Sequence, residues 1–252
     1  MDEPYYQFLS RLLAEGMFEN TLILFFSDHG IRYGPLRETH SGELETRLPF
    51  IFIRLPENTD QSYVENLMQN QYRLTTHFDI HATMVHFLNN KPDHTLPHGL
   101  SLIDSVLSEE RDCTSAAIPE IYCSCYEDIP VLDYEVIHPN ETIPKIVGTI
   151  NSYSKVSRKK CVEYEFVKIK SLYNRVNSGS GVSQGSSVFL IQIYVNPGMA
   201  LFDAILKGFD NNKMFRIADN VIRISKYGNQ SHCISHKIIK NYCFCRDLLS
   251  KH

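Results

Sequence analysis

The first 112 of the 252 residues contain no cysteine, and the seven that exist all follow: Cys113, Cys123, Cys125, Cys161, Cys233, Cys243 and Cys245. Nowhere does the chain hold the run of about 18 consecutive apolar residues that a membrane-spanning helix requires, so no membrane span is expected. An excess of positive charge is also missing. The formal net charge is −4, whereas nucleic-acid surfaces are basic and clustered, so no nucleic-acid partner is expected. The opening residues, MDEPYYQFLSRLLAEGMF, lack the basic start and unbroken apolar stretch of a signal peptide. Their apolar members Phe8, Leu9, Leu12, Leu13 and Met17 recur at helical spacing instead, which predicts a helix with one apolar face feeding a strand.

What is present describes a folded chain. Apolar residues make up 43% and charged residues 21%, the proportions of an ordinary soluble globular protein, and the length suffices for a substantial core. Two of the cysteine clusters are Cys-x-Cys pairs, YCSCYE and YCFCRD. A single intervening residue fits poorly around a tetrahedral zinc ion, where Cys-x2-Cys or wider spacing is usual. Disulfides formed in an oxidising compartment are the better reading. The sequons at Asn140 and Asn229 agree with it, and together they point to the extracellular space or the secretory-pathway lumen. The odd cysteine count leaves one thiol free or paired outside the chain.

The texture of the sequence changes near residue 110. Before it, TLILFFS (21–27) and PFIFIR (49–54) read as short continuous apolar strands of the kind buried in parallel sheets. Between them runs a polar connection of roughly twenty residues, long enough to suggest a functional loop. QSYVENLMQN reads as a helix, and THFDIHATMVHFLNN as another, with Thr76 as its cap and Asp79 at the third helical position. After residue 110, strands with alternation take over. CVEYEFVKIK sets Val162, Tyr164 and Phe166 against Glu163 and Glu165, and its phase slips at Val167 as a bulge would. SSVFLIQIYV and KMFRIADNVIRISKYG supply further strands, with ALFDAILKGF between them read as a helix. The glycine-rich stretch NSGSGVSQGSS (177–187) reads as a flexible loop; its spacing is not that of a phosphate-binding P-loop. The expected fold class is α/β: residues 1–110 as part of a mixed sheet flanked by helices, and residues 111–252 as a smaller antiparallel α+β subdomain bearing the cysteines.

The chemistry concentrates at SDHG, where the first strand ends. Ligands of open α/β sheets bind beyond the carboxyl ends of the strands, and Asp28 and His29 stand there beside the permissive Gly30. A carboxylate and an imidazole can supply an oxygen and a nitrogen to one divalent ion. Zinc takes at least three protein ligands, so the pair makes no site alone, and Asp-His-Gly by itself is also an ordinary strand-end turn. His77 and His81, four residues apart on a helix, have ligand spacing too. No glutamate follows His77 as in a metalloprotease motif, and this pair reads as helix packing.

The longer stretch SDHGIRYGPLRETHSGELETRLPFIFIRLP resembles the alkaline phosphatase/sulfatase superfamily. In that superfamily the strand ends in Asp-His-Gly or Asp-Asn-Gly, followed by a polar loop, a glutamate, an arginine and a Pro-led apolar strand. The corresponding features here are Asp28-His29-Gly30, Gly34, Gly42, Glu43 or Glu45, Arg47 and Pro49. LTTHFDIHATMVHFL is similar to the superfamily's helix through Asp79, Ile80 and Thr83. Within the superfamily, the likeness extends to the nematode-expanded group called domain of unknown function 229, through FD-HAT and the tail segments RDCTSAAIPEIYCSC and RISKYGNQSHCI…NYCFC.

The resemblance implies metal-dependent attack on a phosphate or sulfate ester through a covalent intermediate. It implies that Asp28 and His29 bind a divalent metal, zinc or calcium, which activates the nucleophile. It makes His40 a ligand or acid, Arg37 an anion clamp, and Glu45 with Arg47 a structural ion pair. The superfamily's remaining metal carboxylates and its nucleophile lie upstream of this motif. Residues 1–27 hold Asp2 and Glu3 but no such element, so the expectation is the C-terminal half of a family member with an incomplete site. The alternative is a non-catalytic secreted pseudoenzyme or a disulfide-stabilised interaction domain.

Overall fold

A computed structural model describes residues 2–31, 35–177 and 187–251. In chain order these form α1 (Asp2–Ala14), β1 (Ile23–Phe26), α2 (His40–Arg47), β2 (Ile51–Arg54), α3 (Gln61–Asn70) and α4 (His77–Asn89). There follow β3 (Tyr126–Pro130), α5 (Pro139–Ser154), β4 (Cys161–Val162), β5 (Glu165–Asn177), β6 (Val188–Asn196) and β7 (Ala200–Phe209). The chain closes with β8 (Met214–Ile217), β9 (Ile222–Arg223), the short α6 (Lys237–Lys240) and β10 (Phe244–Cys245). These elements gather into two units, one of Met1–Gly30 with Leu48–Ile118 and one of Ile31–Arg47 with Pro119–His252.

In the first unit, α4 begins as its sequence demands. The Thr76 side chain accepts the Phe78 N–H at 3.2 Å, and the Asp79 carboxylate accepts the Thr76 N–H at 2.7 Å, a reciprocal capping box. Asp79 is fully buried and is also gripped by both terminal nitrogens of Arg111, at 2.9 Å each. Buried Asn70, at the end of α3, donates to the carbonyls of Leu102 and Ser105 and accepts the Leu107 N–H, which pins residues 102–107 to the helix. The strands differ from expectation. β1 and β2 pair antiparallel as a two-stranded ribbon, Ile23 opposite Arg54 through Phe26 opposite Ile51. Two strands cover no face, so Phe25, Phe26 and Phe52 stay 41%, 42% and 66% exposed rather than buried. The same holds for α1, which has no buried residue: of its apolar stripe Phe8 and Leu13 are exposed, while Leu9 and Leu12 are half-buried.

The second unit is built on an antiparallel sheet in the order β3-β5-β6-β7-β8, with β9 also on β7. One face carries Phe189, Ile191, Ile193, Val195, Phe202, Ala204 and Leu206, packed with Ile143, Ile146 and Ile150 of α5. Period-two alternation sends Val188, Leu190 and Ile205 to the other face. The register of β5 against β6 slips between Phe166 and Lys168, where the phase of the sequence slips. The stretch ALFDAILKGF is a strand, β7, and not a helix. It lies between β6 and the β8–β9 edge with both faces covered, so its apolar run is nearly continuous. Such a run cannot be told from a buried helix by periodicity alone. β4 pairs with β10, Cys161 opposite Cys245. The disulfides Cys161–Cys243 and Cys233–Cys245 fasten this corner, and Cys113 and Cys123 are likewise disulfide-bonded. The chain is therefore a mixed α/β protein with an antiparallel sheet, flanking helices and disulfides toward its C-terminus.

Candidate functional site

Asp28 and His29 follow β1 directly. The His29 backbone N–H donates to Asp28 Oδ1 at 2.9 Å, which turns the carboxylate back toward its neighbour. His29 Nδ1 lies 2.6 Å from the Gly30 carbonyl. A carbonyl only accepts, so Nδ1 carries a proton and Nε2 is left to present a lone pair or bind a second proton. That Nε2 lies 3.3 Å from Asp28 Oδ2. The Asp28 side chain is 82% exposed and that of His29 30% exposed, so the pair is open to solvent. Among the described residues no third His, Cys, Asp or Glu stands within ligating reach of the pair.

Arg37 and His40 belong to the second unit with the rest of residues 31–47. Arg37 ends a short 3₁₀ turn (Pro35–Glu38), and His40 opens α2. The turn and helix touch at Gly42, where a Cβ would lie 1.9 Å from the Leu36 carbonyl oxygen, so only glycine fits there. The side chain of His40, and all of Gly34, lie outside what is described. The connection read from sequence as a polar loop is thus largely ordered by a turn and a helix.

That helix delivers charge to the interior. Glu43 and Arg47, one turn apart, form an ion pair with side chains only 4% and 3% exposed. Arg37 Nη2 and Arg47 Nη2 approach Asp203 Oδ2 at 3.8 and 3.9 Å. Asp203 sits mid-strand in β7, directly opposite Gln192 of β6, which is in turn opposite Ser171 of β5. The row is hydrogen-bonded throughout: Gln192 Nε2 donates to Asp203 at 3.0 Å, and Ser171 Oγ donates to Gln192 at 2.8 Å. Burial pushes the Asp203 carboxyl up to about 7; Glu43 adds to the shift, while Arg47, Arg37 and the Gln192 hydrogen bond oppose it. Nη1 of both Arg37 and Arg47 is buried and makes no hydrogen bond among the described residues.

A family model described as protein of unknown function (DUF229) matches residues 1–170. The chain belongs to the DUF229 family. No curated protein and no solved structure matches it. The DUF229 match takes in Asp28, His29, Arg37, His40, Glu43 and Arg47; Ser171, Gln192 and Asp203 lie beyond it.

Several expectations change in this DUF229 chain. The ion pair assigned to Glu45 and Arg47 is made by Glu43 instead, because a four-residue spacing puts Glu43 and Arg47 on one helix face while Glu45 points to solvent. The sequence reads His77 and His81 as helix packing rather than as ligands; His77 Nε2 is 2.9 Å from the Ser27 carbonyl, whereas His81 is exposed. His86, which showed no pattern in sequence, is buried between Ser101 Oγ at 2.9 Å and the Tyr63 hydroxyl at 3.2 Å. Asp203 was missed altogether. Its signal was there, a lone acid inside an apolar run, but the helix assignment for that run hid its place opposite Gln192.

Proposed function

We propose that this chain contributes Asp28 and His29 to the divalent-metal centre of an alkaline phosphatase/sulfatase-like hydrolase or transferase acting on phosphate or sulfate esters. The observation that supports the reading is the 3.3 Å between Asp28 Oδ2 and His29 Nε2. Two ligands at zinc bond lengths of about 2.05 Å in a tetrahedron are about 3.3–3.4 Å apart. The Gly30 carbonyl also holds the ring by its other nitrogen, the arrangement that orients a ligating imidazole. When bound, such an ion lowers the pKa of a hydroxyl nucleophile and offsets charge on the transferred group. Arg37 is proposed as an anion clamp and His40 as ligand or acid; both roles rest on the resemblance alone.

Two ligands are fewer than a zinc centre takes, so the proposal requires a third from outside this pair. Calorimetric titration with zinc should give weak stoichiometric binding that Asp28→Ala and His29→Ala each abolish. Binding unaffected by either substitution would remove the reading. A second reading, which the disulfides favour, is a non-catalytic secreted pseudoenzyme or disulfide-stabilised interaction domain. Aryl phosphate and aryl sulfate assays separate the two, because turnover lost with His29→Ala excludes the second.

A further inference from the structure

The two disulfides at the C-terminal corner share a neighbourhood but not an environment. Cys161 and Cys243 are 2% and 0% exposed, which seals their bridge in the interior. Cys245 is also fully buried, but its partner Cys233 is only half-buried and lines a surface cavity of about 370 Å³. That cavity is bordered by Lys159, Lys160, Ser235 and His236, and none of its described lining residues is acidic. Sulfur attack requires access, so of these four sulfurs Cys233 is the one open to an external reagent.

The surroundings of Cys245 suit a departing thiolate. The Cys233 N–H already donates to Cys245 Sγ at 3.0 Å, and a hydrogen bond to sulfur strengthens as the sulfur gains charge. A ring nitrogen of His232 lies within 4.8 Å of the same sulfur. His232 is held at both nitrogens, by Asp247 Oδ2 at 2.9 Å and by the Asn229 carbonyl at 2.9 Å. These contacts fix the ring beside the sulfur.

We propose that Cys233 is a thiol-exchange site for a small anionic thiol. The thiolate attacks Cys233 Sγ and forms a new S–S bond there. The Cys233–Cys245 bond breaks, its electron pair leaves with Cys245, and that thiolate takes up the proton the incoming thiol released. The incoming thiol is oxidised into the mixed disulfide and Cys245 is reduced. Lys159, Lys160 and His236 attract the anionic groups of the reagent, while Cys161–Cys243 holds β10 to its place.

The test is native incubation of the whole chain with reduced glutathione, quenching by alkylation, and peptide mass mapping. The expected result is a glutathione adduct on Cys233, alkylated Cys245, and an intact Cys161–Cys243 bridge. An adduct on Cys245, loss of both bridges together, or no adduct short of unfolding would each overturn the proposal. The Lys159→Glu/Lys160→Glu variant should slow glutathione several-fold and leave neutral 2-mercaptoethanol unaffected. Equal slowing of both reagents, or of neither, would refute recognition by charge.

Discussion

At the scale of single residues, Asp203 ties stability to pH. Between the ordinary carboxyl range and about pH 7, the folded chain holds a proton that the unfolded chain has released. Its contribution to stability therefore falls as pH rises through that window and is level above it. Asp203→Asn removes the titration, so the variant should gain on the native chain from about pH 4.5 to about pH 7.5 in guanidinium unfolding midpoints. A constant difference between the two across that range would acquit Asp203 as the titrating group. Arg47 is tested differently, because it neutralises Glu43 and faces Asp203 with a side chain only 3% exposed. Arg47→Met leaves two buried acids short of a cation and should cost about 3–5 kcal/mol. Glu45→Ala, on the exposed face of α2, should change stability by less than about 0.5 kcal/mol in the same guanidinium titrations.

Elements were legible in proportion to how far local rules decide them. The capping box of α4 needs only Thr76 and Asp79, three residues apart, and sequence locates it correctly. Thr76→Ala should cost about 1 kcal/mol by thermal unfolding, with loss confined to amide protection in the first turn of α4. The bulge at Val167 was equally readable, because a slip of phase along a strand is itself a local pattern. β7 was not. Eight of its ten residues are buried, by neighbours more remote in sequence, β6 and the β8–β9 edge, and continuous burial erases the alternation that would have named it. Arg37 and Glu43 fall in between. The length of their polar connection suggests a functional loop, but only the Leu36–Gly42 contact and the distant Asp203 turn that loop into a buried ionic cluster. Asp28 and His29 are read from their place at the strand end and from the resemblance; they lie 3.3 Å apart, and their metal role is a proposal.

At the scale of the whole molecule, the disulfides divide the work by chain length. Cys161–Cys243 closes 82 residues, and the loop-entropy relation gives about 4–5 kcal/mol for it; Cys233–Cys245 closes 12, worth about 3 kcal/mol. Cys161→Ala/Cys243→Ala should thus lower the guanidinium midpoint more than Cys233→Ala/Cys245→Ala, and equal losses would show that loop length does not govern this corner. The buried charges add a matter of timing. Arg47 and Asp203 stand roughly 150 residues apart, a contact late to close because loop entropy must be met first. A ribosome releases Glu43 and Arg47 long before β7 exists to receive them, so residues 35–47 spend most of synthesis paired with water. Their charges keep that waiting segment soluble, and the same charges become the interior of the sheet only when its central strands arrive.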